Sequence, residues 1–364
     1  MGFFDNLVQK AGNEFMAKVS ENLDDGIRFI DTGSYALNAL LSGSIYGGMP
    51  NNKAFALAGE ESTGKSFFAL SIASYFQQLN PTGAVICFET EGALDDTVST
   101  KEMLKARGID VDRFYLLPAT TVEDFRTQCL KVLNEYLATP KKDRKPMLMI
   151  LDSLGMLSTN KEMADIAEGK GTRDMTRSQI IRGAFRVLTL KMNRARVPMI
   201  ITNHTYEVVG AYHPTKEMSG GGGLKFAASI IGFLSKSKAK EGDADDGQLI
   251  GAKITVKIDK SRFTREEKKL SIILNHSKGL DRYYGLLEIA ELGGVIKKIS
   301  TKYEFPNGTT AFKKHINKDP EKYFTKEVLD LIDVTAGKIF KYGQDDILPE
   351  DEAEVNVNEN IEQA

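Results

Sequence analysis

Tryptophan is absent from the 364 residues, cysteine occurs twice and histidine four times. Cys87 and Cys129 form no CxxC pair, and His204, His213, His276 and His315 are scattered. Neither a disulfide framework nor a structural zinc site can be assembled from them, so reduced thiols are expected. No apolar run approaches the length of a membrane-crossing helix. The start, Met1-Gly2-Phe3-Phe4-Asp5, lacks the basic segment, apolar core and small-residue cleavage site of a signal peptide. Leu7 stands where a myristoylation motif wants Ser or Thr. The expected compartment is the cytoplasm, with no membrane partner. A large charge imbalance is missing too: the net charge is -2, which by itself calls for no nucleic acid.

The distribution of charge says more than its sum. From Lys170 to Arg196 there are eight Lys or Arg residues and a single acid, Asp174; from Asp345 to Ala364 there are eight acids and no base. That asymmetry points to a basic functional surface and an acidic tail, whose composition is that of disorder. At the other end, Leu7, Ala11, Phe15 and Val19 recur four apart and predict a short amphipathic helix over residues 5–22. Its apolar surface is too small to fold alone, so it must dock on something.

The middle of the chain alternates apolar runs with helical patterns. Runs at 53–58, 84–88, 114–117, 147–151 and 197–201 are separated by helical segments near 66–79, 97–107, 121–138 and 174–195. Strands apolar on both faces and divided by helices require a parallel sheet covered on both sides. After Leu224, strand patterns at 228–235, 252–259 and 269–274 follow closely, as an antiparallel extension would. From about 283 two helical patterns surround a strand-like piece. The reading is an α/β fold: a mixed, largely parallel twisted sheet with helices on both faces, plus a short N-terminal helix and a small C-terminal α/β module. The expected divisions are 1–26 (N-terminal helix), 27–282 (core), 283–343 (C-terminal module) and 344–364 (acidic tail).

Gly59-Glu60-Glu61-Ser62-Thr63-Gly64-Lys65-Ser66 satisfies G-x-x-x-x-G-K-[ST] in full. It follows a strand pattern and opens a helix, the context this phosphate-binding loop needs. Gly59 and Gly64 allow the backbone to approach phosphate closely, where loop N–H groups and the helix N-terminus meet the anion. Lys65 is expected at the β- and γ-phosphates of ATP, and the Ser66 hydroxyl on Mg²⁺. Asp152 ends the run Met147–Leu151 at the C-terminal edge of a buried strand, where open α/β sheets hold ligands, and is the second expected metal ligand. Glu91 and Glu89 both follow the strand ending at Phe88. Either could activate water, and strand alternation puts both on one side, so periodicity cannot choose.

These residues, with several further motifs, resemble the RecA recombinase family over about residues 27 to 340. Phe29-Ile30-Asp31-Thr32-Gly33-Ser34 with Ala36-Leu37-Asn38 is similar to the family's lead into the core. Glu91-Gly92-Ala93-Leu94-Asp95 resembles its catalytic-glutamate motif, which selects Glu91 and gives Asp95 an adenine contact. Leu151-Asp152-Ser153-Leu154 resembles its Walker B strand, and Ile200-Ile201-Thr202-Asn203-His204 the strand ending in a nucleotide sensor, here His204. Gly220-Gly221-Gly222-Gly223-Leu224-Lys225-Phe226 is similar to the closing end of the second DNA-binding loop. Lys260-Ser261-Arg262 is similar to a basic pair that reaches a neighbouring subunit's ATP. Gly285-Leu286-Leu287-Glu288-Ile289-Ala290 with Leu292-Gly293-Gly294-Val295 is similar to the start of the C-terminal module. His204, the run Asn203-His204-Thr205-Tyr206-Glu207 and Asp174-Met175-Thr176-Arg177 resemble the phage UvsX-type branch.

The resemblance implies a DNA-dependent ATPase that polymerises on single-stranded DNA and pairs it with homologous duplex DNA in recombination and repair. A single-strand-binding protein and a loading mediator are further partners it implies. Two loops then face the filament axis. The first, about Ser158 to Thr172, is polar and runs into a helix whose arginines have almost no acidic neighbours at i±3 or i±4. Lys170, Arg173 and Arg177 are the expected phosphate contacts. The second, Thr205 to Gly223, contributes Val209, expected between base triplets, with Gly221 and Gly222. A ring helicase of this fold would be expected to carry a further N-terminal domain, which 26 residues do not hold. A non-catalytic regulator would be expected to have lost Lys65, Asp152 or Glu91, and all three are present.

Overall fold

The computed structural model describes residues 4, 10, 28–170, 176–207, 216–219, 222–237, 251–275 and 278–343. Apart from Lys10, the expected N-terminal helix over 5–22 lies outside the described residues, as do the acidic tail from Asp345, Arg173, Val209 and Gly221.

A two-stranded ribbon, β1 (Phe29–Ile30) and β2 (Met49–Pro50), brackets helix α1 (Tyr35–Ser42). The main sheet is built from β3 (Ala54–Gly59), β4 (Ala84–Glu89), β5 (Phe114–Pro118), β6 (Met147–Asp152) and β7 (Met199–Glu207). Between them run α2 (Lys65–Leu79), α3 (Val98–Ala106), α4 (Val122–Ala138), α5 (Asn160–Ala167) and α6 (Arg177–Ala195). Side by side the order is β3, β7, β6, β4, β5, all parallel. The short β8 (Lys216–Met218) returns antiparallel on β7, and α7 (Gly223–Ala227) leads into β9 (Ile230–Ser237), which joins β3 in parallel from the other side. Then β10 (Gly251–Ser261), β11 (Lys269–Asn275) and β12 (Gly279–Leu280) extend the sheet antiparallel. The expected mixed sheet is observed.

Residue alternation divides the core in two. Along β3, Phe55 and Leu57 enter one cluster, while Ala54, Ala56 and Ala58 enter the other. On β6, Leu148 and Ile150 oppose Met147, Met149 and Leu151 in the same way. α4 and α6 cover the second face, where Phe125 meets Phe88 at 5.0 Å and Phe185 at 6.0 Å between ring centroids. α1 and α2 cover the first face. Strands buried on both faces need apolar residues at every position, which is why their sequence signal was a run and not an alternation.

The C-terminal part holds α8 (Leu286–Leu292), β13 (Lys297–Ile299), β14 (Lys302–Glu304), β15 (Thr310–Phe312), α9 (Lys313–Lys318), α10 (Pro320–Tyr323) and α11 (Lys326–Phe340). Where one strand-like piece was expected, a three-stranded antiparallel sheet is found. Its Ile296, Tyr303, Phe324 and Ile332 belong to the same hydrophobic cluster as α1 and β11. The change of pattern near 283 is therefore not a break in the core. One carboxylate adds a polar lock: Asp333 on α11 accepts from Ser44 Oγ at 2.7 Å and from the Ile45 N–H at 2.8 Å.

The region 158–172 differs from the expected open loop. Thr159 and Glu162 form a reciprocal capping box that starts α5, and none of its residues is buried. The Thr-x-x-Glu signal was present but precedes no apolar face, so periodicity did not reveal a helix.

Asp333→Ala leaves the buried Ile45 N–H without its acceptor. The expected outcome is a loss of about 1–3 kcal/mol of stability, read as a lower urea midpoint with an unchanged slope. A midpoint equal to that of the parent chain would mean that the apolar cluster alone fixes the module.

Candidate active site

The register of the parallel strands decides what meets at their C-terminal edge. Gly59 of β3 pairs with His204 of β7, Leu151 of β6 with Ile201 of β7, and Glu89 of β4 with Asp152 of β6. The phosphate loop, Asp152, both glutamates and His204 are thus brought to one edge.

In the loop itself, Gly64 caps α2 with φ of 88°, and a Cβ on Gly59 would lie 2.9 Å from Thr63 Oγ1 and 3.0 Å from the Leu234 carbonyl oxygen. Neither glycine has room or angle for a side chain. Thr63 Oγ1 donates to the Glu60 carbonyl at 2.8 Å and holds the turn. Lys65 is buried, with Nζ donating to the carbonyls of Gly59 at 3.1 Å and Glu60 at 2.7 Å. Burial pulls its ammonium below the ordinary lysine value, against the opposing pull of Glu91, Asp152 and Glu61. A buried cation folded onto neutral carbonyls at the N-terminus of a helix fits a polyphosphate.

Asp152 accepts from the hydroxyls of Thr202 and Ser66. Burial raises its carboxyl above the ordinary value; the two hydroxyls resist this, and the charges of Glu91 and Glu89 add to it. A carboxylate beside the Ser66 hydroxyl, destabilised when charged, fits a divalent cation at that point. Ser66 and Asp152 are therefore the residues that would hold Mg²⁺.

The two glutamates separate by geometry. Glu89 is buried and turned into its own loop, where it accepts from the N–H groups of Glu91 at 3.1 Å, Gly92 at 2.9 Å and Ala93 at 3.0 Å. Those bonds make it a clamp on the 91–93 backbone. Glu91 Oε1 instead accepts from Ser153 Oγ at 2.6 Å and lies 3.1 Å from His204 Nε2. Burial pushes the Glu91 carboxyl up, but the hydrogen bonds from Ser153 and His204 and the charges of His204 and Lys65 outweigh it, leaving it lowered. An ionised carboxylate facing Lys65 can accept a proton from water; one wrapped in three amides cannot.

His204 also touches the second loop's return. Its carbonyl accepts from the Ser219 N–H at 2.8 Å, and Asn203 Nδ2 donates to the Ser219 carbonyl at 2.8 Å. β8 pairs onto β7 immediately beyond, with Thr205 opposite Met218. The closing strand of the loop is thus bonded to the residue that faces Glu91.

Lys260 and Arg262 lie elsewhere. Ser261 pairs with Ile230, and Ile230 with Phe55 near the start of β3, whereas Gly59 ends that strand. Four residues of strand separate the two edges, roughly 13 Å of backbone rise. Lys260 Nζ donates to the carbonyls of Lys225 and Ala228 at the end of α7. Burial lowers its ammonium, Arg262 adds to the effect and Glu266 opposes it.

Other expected site residues are placed as follows. Asp95 is exposed, and its Oδ1 accepts from Thr97 Oγ1 at 2.6 Å and Thr100 Oγ1 at 2.5 Å at the start of α3. Lys170 is exposed and 2.5 Å from Glu168. Gly222 caps α7. Arg177, an expected phosphate contact, is bonded inward. One of its terminal nitrogens donates to the carbonyls of Gly155 and Leu157, both at 2.7 Å, and its Nε is buried without a partner. The short turn after β6 presents carbonyls in need of donors, so this guanidinium is drawn inward.

Sequence reasoning missed Ser153, Thr202 and Lys236, the last donating to the Ser62 carbonyl in the loop at 3.3 Å. Thr202 had left a signal: with Ile200 and His204 it shares one side of a buried strand, where a lone hydroxyl needs a partner. Lys236 left none, since its approach depends on β9 pairing with β3.

A raised Asp152 carboxyl has a sign for stability. Its charged form is penalised in the folded chain, so that cost is absent below the ordinary value of 3.8 and builds as pH rises through the folded value. Asp152→Asn, which keeps an acceptor for Thr202, is expected to raise the unfolding temperature of the nucleotide-free protein at pH 7, and the gain should shrink towards pH 4. Equal unfolding temperatures at both pH values would contradict the placement.

Residues 4–281 match the family model described as the RecA N-terminal domain. The chain is 30% identical over 262 residues, 72% of its length, to the recombination and repair protein of Enterobacteria phage T4. That match spans 63% of the phage T4 relative, less than two thirds of its length. It is 27% identical over 300 residues to protein RecA of Fusobacterium nucleatum, covering 81% of this chain and 72% of that one. With protein RecA of Phytoplasma mali the identity is 24% over 331 residues, 91% of this chain and 90% of the relative. A phosphate loop, the half-buried Asp152 and Glu91 on one edge of a mixed sheet accompany a family match over most of the length, and the chain belongs to the RecA family.

Proposed function

We propose that this protein is a DNA-dependent ATP hydrolase and homologous recombinase that forms a filament on single-stranded DNA and promotes pairing and strand exchange with homologous duplex DNA. The observation that carries the reading is the meeting of Lys65, Asp152, Glu91 and His204 at one edge of the sheet while Lys260 and Arg262 lie at the other. The names of the phage T4 and bacterial relatives support the same reading.

In this account the loop N–H groups and Lys65 bind the phosphates, and the Ser66 hydroxyl with Asp152 holds Mg²⁺. Bound Mg²⁺ supplies charge that offsets the developing charge on the phosphoryl oxygens. Glu91 takes the proton of the attacking water, oriented by Ser153 and His204. Lys260 and Arg262 cannot serve the nucleotide of their own chain, so they act on that of a second copy. A head-to-tail contact between opposite edges of successive copies generates an open helical array. Asp95 contacts the adenine.

His204 links hydrolysis to DNA. It faces Glu91 on one side and carries Ser219, at the end of the second loop, on the other. A nucleotide that shifts His204 therefore biases the loop bearing Val209, Gly221 and Gly222, and DNA on that loop biases His204 in return. Lys170 and Arg173 contact DNA phosphates, and Arg177 positions the first loop. The N-terminal helix docks on a neighbouring copy, and a single-strand-binding protein and a loading mediator assist assembly.

ATP turnover is expected to rise strongly on adding single-stranded DNA and to vanish in Lys65→Ala. Glu91→Gln should keep Mg²⁺-dependent ATP binding while losing about 10²–10⁴-fold in turnover. His204→Ala should still bind DNA, with ATP no longer raising its affinity. Rapid turnover unaffected by DNA would overturn the reading, and full ATP dependence of DNA binding in His204→Ala would remove the coupling route.

A further inference from the structure

A cavity of about 480 Å³ lies away from the phosphate loop, and no residue from Gly59 to Ser66 lines it. Its floor is one face of α2, from Ser71 to Gln78. Those positions lie six to thirteen residues beyond Lys65, roughly 9–20 Å along the helix axis. The turn before α1 and the end of α3 form two walls. The segment from Lys278 to Tyr283 forms a third, and Glu321 of α10 stands at the rim.

The lining is cationic. Arg107, Lys278 and Arg282 all reach the cavity. Arg282 is fixed: it sits 3.8 Å above the Tyr35 ring and pairs with Asp31 at 2.6 Å. Asp31 is itself held by Asn38 Nδ2 at 2.7 Å and the Gly33 N–H at 2.9 Å, so this guanidinium belongs to the scaffold. Arg107 is different. It lies over the Phe67 ring at 4.5 Å, half-buried, and its guanidinium makes no hydrogen bond or ion pair among the described residues. Burial lowers it from the ordinary arginine value with no carboxylate to compensate. Lys278 likewise has no acidic side-chain partner among the described residues.

Two features favour a ligand with both phosphate and a flat body. Tyr75 and Tyr283 bring ring surface and hydroxyls that have no hydrogen-bond partner among the described residues, and Gln78 adds an amide. The volume lies within the range of small-molecule sites. A half-buried guanidinium over an aromatic ring is a ready acceptor of a bidentate phosphate. We propose that this cavity is a second nucleotide site, in which Arg107 and Lys278 hold the phosphate of a nucleoside 5′-phosphate and Tyr75, Tyr283 and Gln78 hold its ring and sugar. Its ligand spans the phosphate-loop helix α2 and the C-terminal module, so occupancy ties those two parts together.

The test uses the full chain with the phosphate loop saturated by Mg²⁺ and a slowly hydrolysed ATP analogue. Adenosine, guanosine, cytidine and uridine 5′-monophosphates and inorganic phosphate are titrated in turn by calorimetry. One site per chain is expected for at least one monophosphate, with inorganic phosphate weaker. Arg107→Gln should weaken that binding by about tenfold or more, and Gln78→Ala should weaken it by less. A 5′-phosphorylated oligothymidylate that competes, when its unphosphorylated twin does not, identifies the source as a strand end; absence of competition identifies a free nucleotide. The proposal is overturned if no monophosphate binds below about 1 mM or if both variants bind as the parent does. Binding that disappears once the analogue fills the phosphate loop also overturns it, because the monophosphate was then occupying the ATP site.

Discussion

The register of five parallel strands is the constraint on which the site depends. With Gly59 opposite His204 and Glu89 opposite Asp152, groups separated by up to 145 positions along the chain meet at one edge. A slip of one residue along β7 would turn Thr202 and His204 to the opposite face and leave Asp152 without the Thr202 hydroxyl. Burial on both faces is what makes such a slip expensive. Phe55 and Leu57 have one cluster to fill and Ala54, Ala56 and Ala58 another, and neither set fits the other's place.

The same packing brings like charges together. Glu89, Glu91 and Asp152 crowd the ends of adjacent strands, and the chain contains them by different means. Glu89 accepts three backbone N–H bonds, Glu91 is stabilised by Ser153, His204 and Lys65, and Asp152 is compensated only in part. The least compensated carboxylate is the one beside the Ser66 hydroxyl, the pair proposed to hold Mg²⁺. Destabilisation concentrated at one group of a carboxylate cluster is a usual mark of a functional position.

Much of this was legible in the sequence, for reasons that differ by element. The buried strands announced themselves as apolar runs, and α2, α4 and α6 matched their patterns closely because each buries a broad face. The phosphate loop was legible because Gly59 and Gly64 are demanded by local geometry. The choice between Glu89 and Glu91 was not, since alternation gives them one side; only the fold of the 91–93 backbone around Glu89 separates them. The inward bonds of Arg177 were not legible, because an arginine unpaired in sequence can still find carbonyls in space. Lys236 and the cavity beside Arg107 depend on pairings between distant segments, which leave no local trace.

The division of the site between two edges is the central claim, and mixing two disabled chains tests it most directly. Lys65→Ala removes the phosphate contact but keeps the basic edge, and Arg262→Ala does the reverse. On single-stranded DNA each alone is predicted to be nearly inactive in ATP turnover. An equimolar mixture is predicted to recover up to about a quarter of the parent rate, because a head-to-tail array pairs an intact nucleotide edge with an intact basic edge at that fraction of contacts. A mixture no more active than the sum of its parts, or an Arg262→Ala chain fully active by itself, would contradict the account.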